Sequence, residues 1–65
     1  MRVVVAGTGL RPAHVLGIMQ EQMPEIEMVG YFDPQPVYAE RISPDMPRFD
    51  SVEAMLAETR PDLFF

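Results

Sequence analysis

Two glycines and one aspartate are of residue types, and at a spacing, that suit the binding of a ligand. Gly7 and Gly9 stand one residue apart, after an apolar run and before a helical pattern. Glycine lacks the Cβ atom that would hold a bound group away from the backbone, and free N–H groups at a helix N-terminus attract phosphate. Asp33 ends a second apolar run, about 20 residues beyond the turn, where a carboxylate accepts hydrogen bonds from ribose hydroxyls. The pattern predicts dinucleotide binding.

Several positions leave alternatives open. Position 12, where the dinucleotide-binding pattern has a third glycine, holds Pro12, which is bulkier and lacks an N–H group. The two glycines would also suit a strand-to-helix turn without a ligand, and Asp33 would also suit a local turn with Pro34. Arg11 would either reach the pyrophosphate or nicotinamide side of a ligand or remain solvated. His14 is interpreted as structural or exposed, because no partner acid or cysteine lies near it in the sequence.

To form one binding site, these residues must be positioned by a strand, a turn, a helix and a second strand, in that order. The β-branched run Arg2–Ala6 predicts a parallel strand that is buried on both faces. Pro12 suits the first position of a helix that Pro24 ends. The run Glu27–Phe32 predicts the second strand, in which Gly30 would let a helix cross closely.

The rest of the chain completes the same unit. The pattern predicts a short helix over residues 37–42 and a short extended segment at Arg48 and Phe49. A third helix is predicted to begin at Asp50 or Ser51, before a last apolar run. Parallel strands need helical crossovers of this kind, which are almost always right-handed. The order β-α-β-α-α-β therefore predicts an α/β fold. It is a partial doubly wound, Rossmann-like parallel sheet in a three-layer sandwich, with the strand order 3-2-1.

The composition narrows the classes of function. A net charge of −5 and five scattered arginines argue against a nucleic-acid partner. The lack of cysteine excludes disulfides and thiolate chemistry, and the single histidine excludes an all-histidine metal cluster, so no metal site is predicted. No apolar run is long enough to span a membrane, and the start does not have the pattern of a signal peptide. We expect a soluble, cytoplasmic protein without a membrane partner.

The length and the last residues indicate part of a larger domain. A chain of 65 residues buries too little surface for more than marginal stability when disulfides and metals are missing. Its last strand carries the apolar pair Phe64 and Phe65 beside an open sheet edge. We interpret residues 1–65 as the first half of an NAD(P)-binding domain from a longer protein, and we expect self-association or a homo-oligomer through such edges.

Three segments follow one another in a characteristic order. They are Val3-Val-Val-Ala-Gly-Thr-Gly-Leu-Arg11, then Glu27-Met-Val-Gly-Tyr-Phe-Asp-Pro34, then the stretch from Arg48 to Asp62 with its Arg-Pro-Asp before an apolar run. Over nearly the whole chain this order resembles the opening of the glucose–fructose oxidoreductase and inositol dehydrogenase-like (Gfo/Idh/MocA) family. The resemblance implies a nicotinamide-binding domain that takes NAD, with NADP less favoured because the acid at position 33 would repel its 2′-phosphate.

The resemblance also implies the positions of a cofactor site. The residues along the pyrophosphate would be Gly7, Thr8, Gly9, Leu10 and Arg11, and those at the adenosine ribose would be Asp33 and Pro34.

Members of this family oxidise or reduce sugars, cyclitols or related polyols by hydride transfer. Their catalytic lysine lies in a Glu-Lys-Pro motif after the next strand, and further catalytic residues lie in a second domain. The 65 residues contain no lysine, so the resemblance assigns no catalytic residue here, and the chain alone is expected to be non-catalytic. Two other hypotheses use the same scaffold: a non-enzymatic nucleotide- or coenzyme-A-binding regulatory domain, and a flavodoxin-like interaction module without a ligand.

Overall fold

The first strand is the central strand of a parallel sheet and lies between the two others. In the computed structural model, which describes residues 1–36 and 38–65, strands and helices alternate as an α/β fold. The elements are β1 (Arg2–Ala6), α1 (Leu10–Gln22), β2 (Glu27–Phe32), α2 (Ala39–Ile42), α3 (Val52–Thr59) and β3 (Leu63–Phe64). Both strand ranges predicted for the first half of the chain are confirmed.

The sheet has the order β2-β1-β3, and β1 is parallel to both neighbours. Val3 lies opposite Met28 and Val4 lies opposite Gly30, so the register shifts by one residue between these two pairs. The three valines of β1 are fully buried. Continuous burial of this kind is typical of a parallel strand that is covered on both faces, as the β-branched run predicted.

A short extended segment lies on the outer side of β2. Tyr31 forms a parallel bridge with Arg48. The Tyr31 N–H donates to the Pro47 carbonyl at 3.0 Å, and the Phe49 N–H donates to the Tyr31 carbonyl at 2.8 Å. The extended segment, β2 and β1 therefore stand side by side, which is the predicted order 3-2-1 when this segment is counted as the third strand. The last strand, β3, lies on the other side of β1.

Helices cover both faces of the sheet, which confirms the predicted three layers. On one face, Val5 packs in a buried cluster with side chains of α1 and α2 and of the loop after α2. Its buried members are Val5, Ala13, Leu16, Ile42 and Met46. Successive side chains of a strand point to opposite faces, so Val4 faces the other layer, where α3 buries Met55 and Thr59.

Gly30 lies where that second layer packs closely against the sheet. A Cβ atom at this position would stand 2.5 Å from Cε2 of Phe49 and 3.5 Å from Cγ2 of Thr59 in α3. The predicted close crossing is therefore present, but the ring of Phe49 makes the tightest approach and the helix lies behind it. The missing side chain of Gly30 makes room for the extended segment to fold against β2.

The first helix begins earlier than predicted. Gly9 is its N-cap, and Leu10 is its first residue. Pro12 is thus the third helical residue, and the prediction that it opens the helix is wrong. The position still suits proline, because the first four N–H groups of a helix have no intrahelical acceptor. The first bond of the helix runs from the Ala13 N–H to the Gly9 carbonyl at 3.1 Å.

The third helix is fixed at both ends by polar contacts. The Ser51 hydroxyl accepts from the Ala54 N–H at 3.1 Å, so Ser51 rather than Asp50 is the N-cap. At the other end Arg60 is a left-handed C-cap with φ 45°. The guanidinium of Arg2 donates to the Thr59 carbonyl at 2.7 and 3.1 Å, which ties the end of α3 to the start of β1.

The second helix is shorter than predicted and has one turn, Ala39–Ile42. Val37, the first residue of the predicted range 37–42, lies outside the described residues. None of the helices in the described ranges has the length and apolar composition needed to cross a membrane. In β3 and directly after it, Leu63, Phe64 and Phe65 are 37–45% exposed.

Two glycine substitutions should change the stability in opposite directions. In Gly30→Ala the added methyl group meets the Phe49 ring, and overpacking of this kind destabilises by about 1–3 kcal/mol. In Gly17→Ala the new Cβ meets no atom within 4 Å, and replacing a mid-helix glycine stabilises by about 0.5–1 kcal/mol. Urea unfolding of the two variants measures both effects. Equal or higher stability of Gly30→Ala would contradict the tight approach of Phe49.

Candidate functional site

The predicted site residues meet at the carboxyl ends of β1 and β2. Gly7 follows β1 directly, and its N–H donates to the carbonyl of Phe32, the last residue of β2, at 2.8 Å. The two strand ends are therefore held side by side. In open parallel sheets this edge is where ligands bind.

The Asp33 carboxylate joins the two ends more closely. Its Oδ2 atom accepts from the Thr8 N–H at 2.5 Å and from the Thr8 hydroxyl at 2.7 Å. Thr8 is fully buried, and Asp33 is half-buried. Because the Thr8 side chain turns inward to the carboxylate, it leaves the outer side of the glycine turn uncovered.

Two further groups hold Asp33. Its Oδ1 atom accepts from the Gln35 N–H at 2.8 Å, which is the local turn that the Asp-Pro sequence also suited. One guanidinium nitrogen of Arg48 donates to the Asp33 backbone carbonyl at 3.0 Å. The residue therefore has a local structural role, and the same contacts fix the carboxylate next to the glycine turn.

These hydrogen bonds keep Asp33 ionised. The backbone N–H of Gln35, followed by the backbone N–H and the hydroxyl of Thr8, holds the pKa of the Asp33 carboxyl below its ordinary value of 3.8. Partial burial opposes this shift, and the charge of Arg48 adds to it. Hydrogen bonds to the charged form favour that form, so the site presents a fixed negative charge at neutral pH.

The two glycines of the turn have different reasons to be glycine. Gly7 has φ 95°, a conformation that side chains of L-residues rarely adopt. Gly9 is extended, with φ −67° and ψ −176°, and a Cβ atom there would meet only Cδ of Pro12, at 4.0 Å. The positive φ of Gly7 thus requires glycine at that position. At Gly9 neither the backbone conformation nor a neighbouring atom of the protein requires it.

Three backbone N–H groups lie at this turn, where α1 begins. In residues 1–36 and 38–65, no hydrogen bond is formed by the N–H groups of Gly9, Leu10 and Arg11. They belong to the N-terminus of a helix of 13 residues, which carries a partial positive charge. Pro12, the next residue, has no N–H to contribute.

The structure brings together all seven residues that the sequence predicted for a cofactor site. They are Gly7, Thr8, Gly9, Leu10, Arg11, Asp33 and Pro34. Of these, Thr8 is buried, and Leu10, Arg11 and Pro34 are exposed. His14, on the next turn of α1, is exposed, as one of its two interpretations had it.

Sequence reasoning missed the two residues that complete the surroundings of Asp33. Gln35 contributes only its backbone, so its residue type gives no signal. Arg48 was predicted as part of an extended segment and not as part of the site. The strand order 3-2-1 was the available signal, because it places that segment next to the strand that Asp33 follows.

The site is an open surface. The described residues enclose no pocket, and among them no group of three metal-ligating side chains occurs. A ligand here would lie against the ends of β1 and β2 and the start of α1, with its other side uncovered by residues 1–36 and 38–65.

Comparison of the chain with protein-family models, curated protein sequences and solved structures finds no significant match. The family resemblance therefore stays a prediction.

The stability of the protein should depend on pH through Asp33. Since the folded-state pKa lies below 3.8, the ionised carboxylate stabilises the fold fully above the unfolded-state pKa, and this stabilisation is lost as the pH falls through the folded-state value. Wild type should exceed Asp33→Asn in free energy of unfolding at pH 7, and the difference should shrink below about pH 4.

Thr8→Val is the matched variant for this prediction. It removes the hydroxyl donor and retains the backbone donor, so it should cost about 1–2 kcal/mol at pH 7 and weaken the pH dependence. Urea unfolding between pH 3 and pH 7 measures both quantities. A difference between wild type and Asp33→Asn that stays constant over this range would show that the carboxylate is not held as described.

Proposed function

We propose that the chain is the dinucleotide-binding part of an NAD-dependent oxidoreductase. One observation carries the proposal. The free N–H groups at the start of α1 and the ionised carboxylate of Asp33 lie side by side at the carboxyl edge of a parallel sheet. One group suits a pyrophosphate, the other suits a ribose, and a dinucleotide contains both next to each other.

The pyrophosphate would lie on the glycine turn. The N–H groups of Gly9, Leu10 and Arg11 would donate to its oxygens, and the partial positive charge of the helix N-terminus would favour its negative charge. An added Cβ atom would meet nothing within 4 Å at Gly7 and only Cδ of Pro12, at 4.0 Å, at Gly9, so the phosphates can approach the backbone. The exposed guanidinium of Arg11 can add a charge-assisted hydrogen bond.

The adenosine ribose would lie on Asp33, with Pro34 beside it. The carboxylate is ionised at neutral pH and can only accept hydrogen bonds, which suits the hydroxyl donors of a ribose. Its negative charge disfavours a 2′-phosphate at the same place, so NAD is the preferred cofactor.

Hydride transfer is the chemistry that a bound nicotinamide supplies. The residues of this chain bind and orient the cofactor and do not act on a substrate. The resemblance to the glucose–fructose oxidoreductase and inositol dehydrogenase-like family supports a sugar, cyclitol or related polyol as the substrate of the longer protein. A regulatory domain that binds a nucleotide or coenzyme A without catalysis would use the same turn.

Calorimetric titration of the chain with NADH tests the proposal. We expect saturable binding to wild type and roughly tenfold weaker binding to Asp33→Asn, because a hydrogen bond to a charged group contributes about 1.5 kcal/mol. Asp45→Asn is the matched control. It removes the same charge from an exposed loop residue and should leave the affinity unchanged.

Parallel titrations with ADP and coenzyme A separate the alternatives. Binding of NADH that is stronger than binding of ADP supports a dinucleotide site, whereas preference for coenzyme A supports the regulatory alternative. No heat of binding with NADH, or equal affinities for wild type and Asp33→Asn, would overturn the proposal.

A further inference from the structure

We propose that the outer face of α1 is a self-complementary interface, and that its partner is a second copy of this chain packed with its own α1 in the antiparallel direction. The inference does not rest on the proposed function. It concerns the side of α1 that points away from the sheet, which is a different surface from the edge of β3.

Four exposed residues of α1 lie in one stripe along the helix. They are Arg11, Val15, Ile18 and Gln22. Their spacing of four, three and four positions places them on one face. The buried residues Ala13 and Leu16, which pack with Val5 of the sheet, lie on the opposite face. The stripe therefore points outward, with Val15 at 36% and Ile18 at 45% exposure in its middle.

The order of residues in this stripe suits pairing with an identical antiparallel helix. A two-fold axis would pass beside the middle of α1, between positions 16 and 17, and residues at equal distances from that point would face each other. Val15 then packs against Ile18 of the second copy, and Ile18 packs against Val15. Four apolar side chains would thus form the centre of the contact, where each is now exposed to water.

The charges at the ends of the helix support the antiparallel direction. Arg11 lies in the first turn of α1 and Glu21 in the last, although a helix favours an anion at its start and a cation at its end. Each charge is therefore unfavourable in its own helix. In an antiparallel pair, Arg11 lies beside the last turn of the second copy and within reach of Glu21 there, so that the side-chain charges and the helix dipoles attract one another.

Both charged side chains are available for such a contact. Among residues 1–36 and 38–65 the one ion pair joins Arg2 and Glu27, and Arg11 and Glu21 are exposed. A guanidinium carries five N–H donors, so Arg11 can use different N–H groups for a carboxylate of the second copy and for a bound pyrophosphate. A parallel pair would instead place Arg11 beside Arg11 and Glu21 beside Glu21, which is repulsive.

The size of the contact sets its strength. One helix face contributes few side chains, and interfaces that bury less than about 1,200 Å² in total are typical of weak, transient complexes. We therefore expect a reversible dimer that dissociates on dilution.

Sedimentation equilibrium of the chain without ligand, over about a hundredfold range of protein concentration, tests the interface. Wild type should pass from monomer to dimer as the concentration rises. Ile18→Glu places a carboxylate in the centre of the contact and should raise the dissociation constant at least about tenfold. Phe64→Glu introduces the same charge at an exposed apolar residue of β3. It is the matched control and should change the dissociation constant by less than about twofold.

A charge exchange tests the direction of the pair. Arg11→Glu and Glu21→Arg each bring like charges together and should each raise the dissociation constant about tenfold. Both changes favour the dipole of their own helix, so a loss of association is not a loss of folding. The double variant Arg11→Glu/Glu21→Arg restores opposite charges and should return to within about threefold of wild type. Glu58→Arg, which reverses an exposed charge on α3, should have no effect.

Three outcomes would overturn the inference. The first is a wild type that stays monomeric at every concentration. The second is a dimer that Phe64→Glu disrupts and Ile18→Glu does not, which would assign self-association to β3. The third is a double variant that associates no better than the single variants. Because no ligand is present, failure of NADH binding would overturn the proposed function and leave this interface standing. Circular dichroism of each variant shows that it has folded.

Discussion

The contact between the Asp33 carboxylate and Thr8 is the interaction on which the site depends. It joins the end of β2 to the turn between β1 and α1 through two hydrogen bonds to one oxygen. Buried polar groups need such partners, because an unpaired hydroxyl or carboxylate would cost several kcal/mol of desolvation. The same contact turns the only side chain between Gly7 and Gly9 inward, so that the turn presents backbone alone to its outer side.

The central place of β1 explains why this contact forms at all. A parallel strand with neighbours on both sides must be apolar throughout, and the three buried valines of β1 meet that requirement. Once β2 is paired with β1 in register, Gly7 lies beside Phe32, and Asp33 follows within reach of Thr8. The geometry of the site is thus a consequence of strand pairing, and the helices on the two faces keep that pairing in place.

The occupied lone pairs of Asp33 set a limit on what it can bind. A carboxylate with three hydrogen bonds from its own chain has less capacity for a ligand than the sequence pattern of glycine turn and acid suggests. The guanidinium of Arg48 is a charged group that the structure places on the same residue, through a hydrogen bond to its backbone carbonyl.

The sequence by itself determined the elements and the local turns. Apolar runs gave the bounds of β1 and β2, and turn residues gave the glycine turn and the serine cap of α3 as one of two candidates. The rules of parallel connections gave the strand order. These signals act over a few residues or over whole elements. The start of α1 was placed two residues late, because the first turn of a helix tolerates proline at more than one position.

Only the tertiary structure decided which groups meet across the chain: Arg2 with the end of α3, Phe49 against Gly30, and Thr8 and Arg48 on Asp33. These pairs are far apart in sequence, and the direction of a side chain at such a distance is fixed by strand register and packing, which no local pattern of residues encodes.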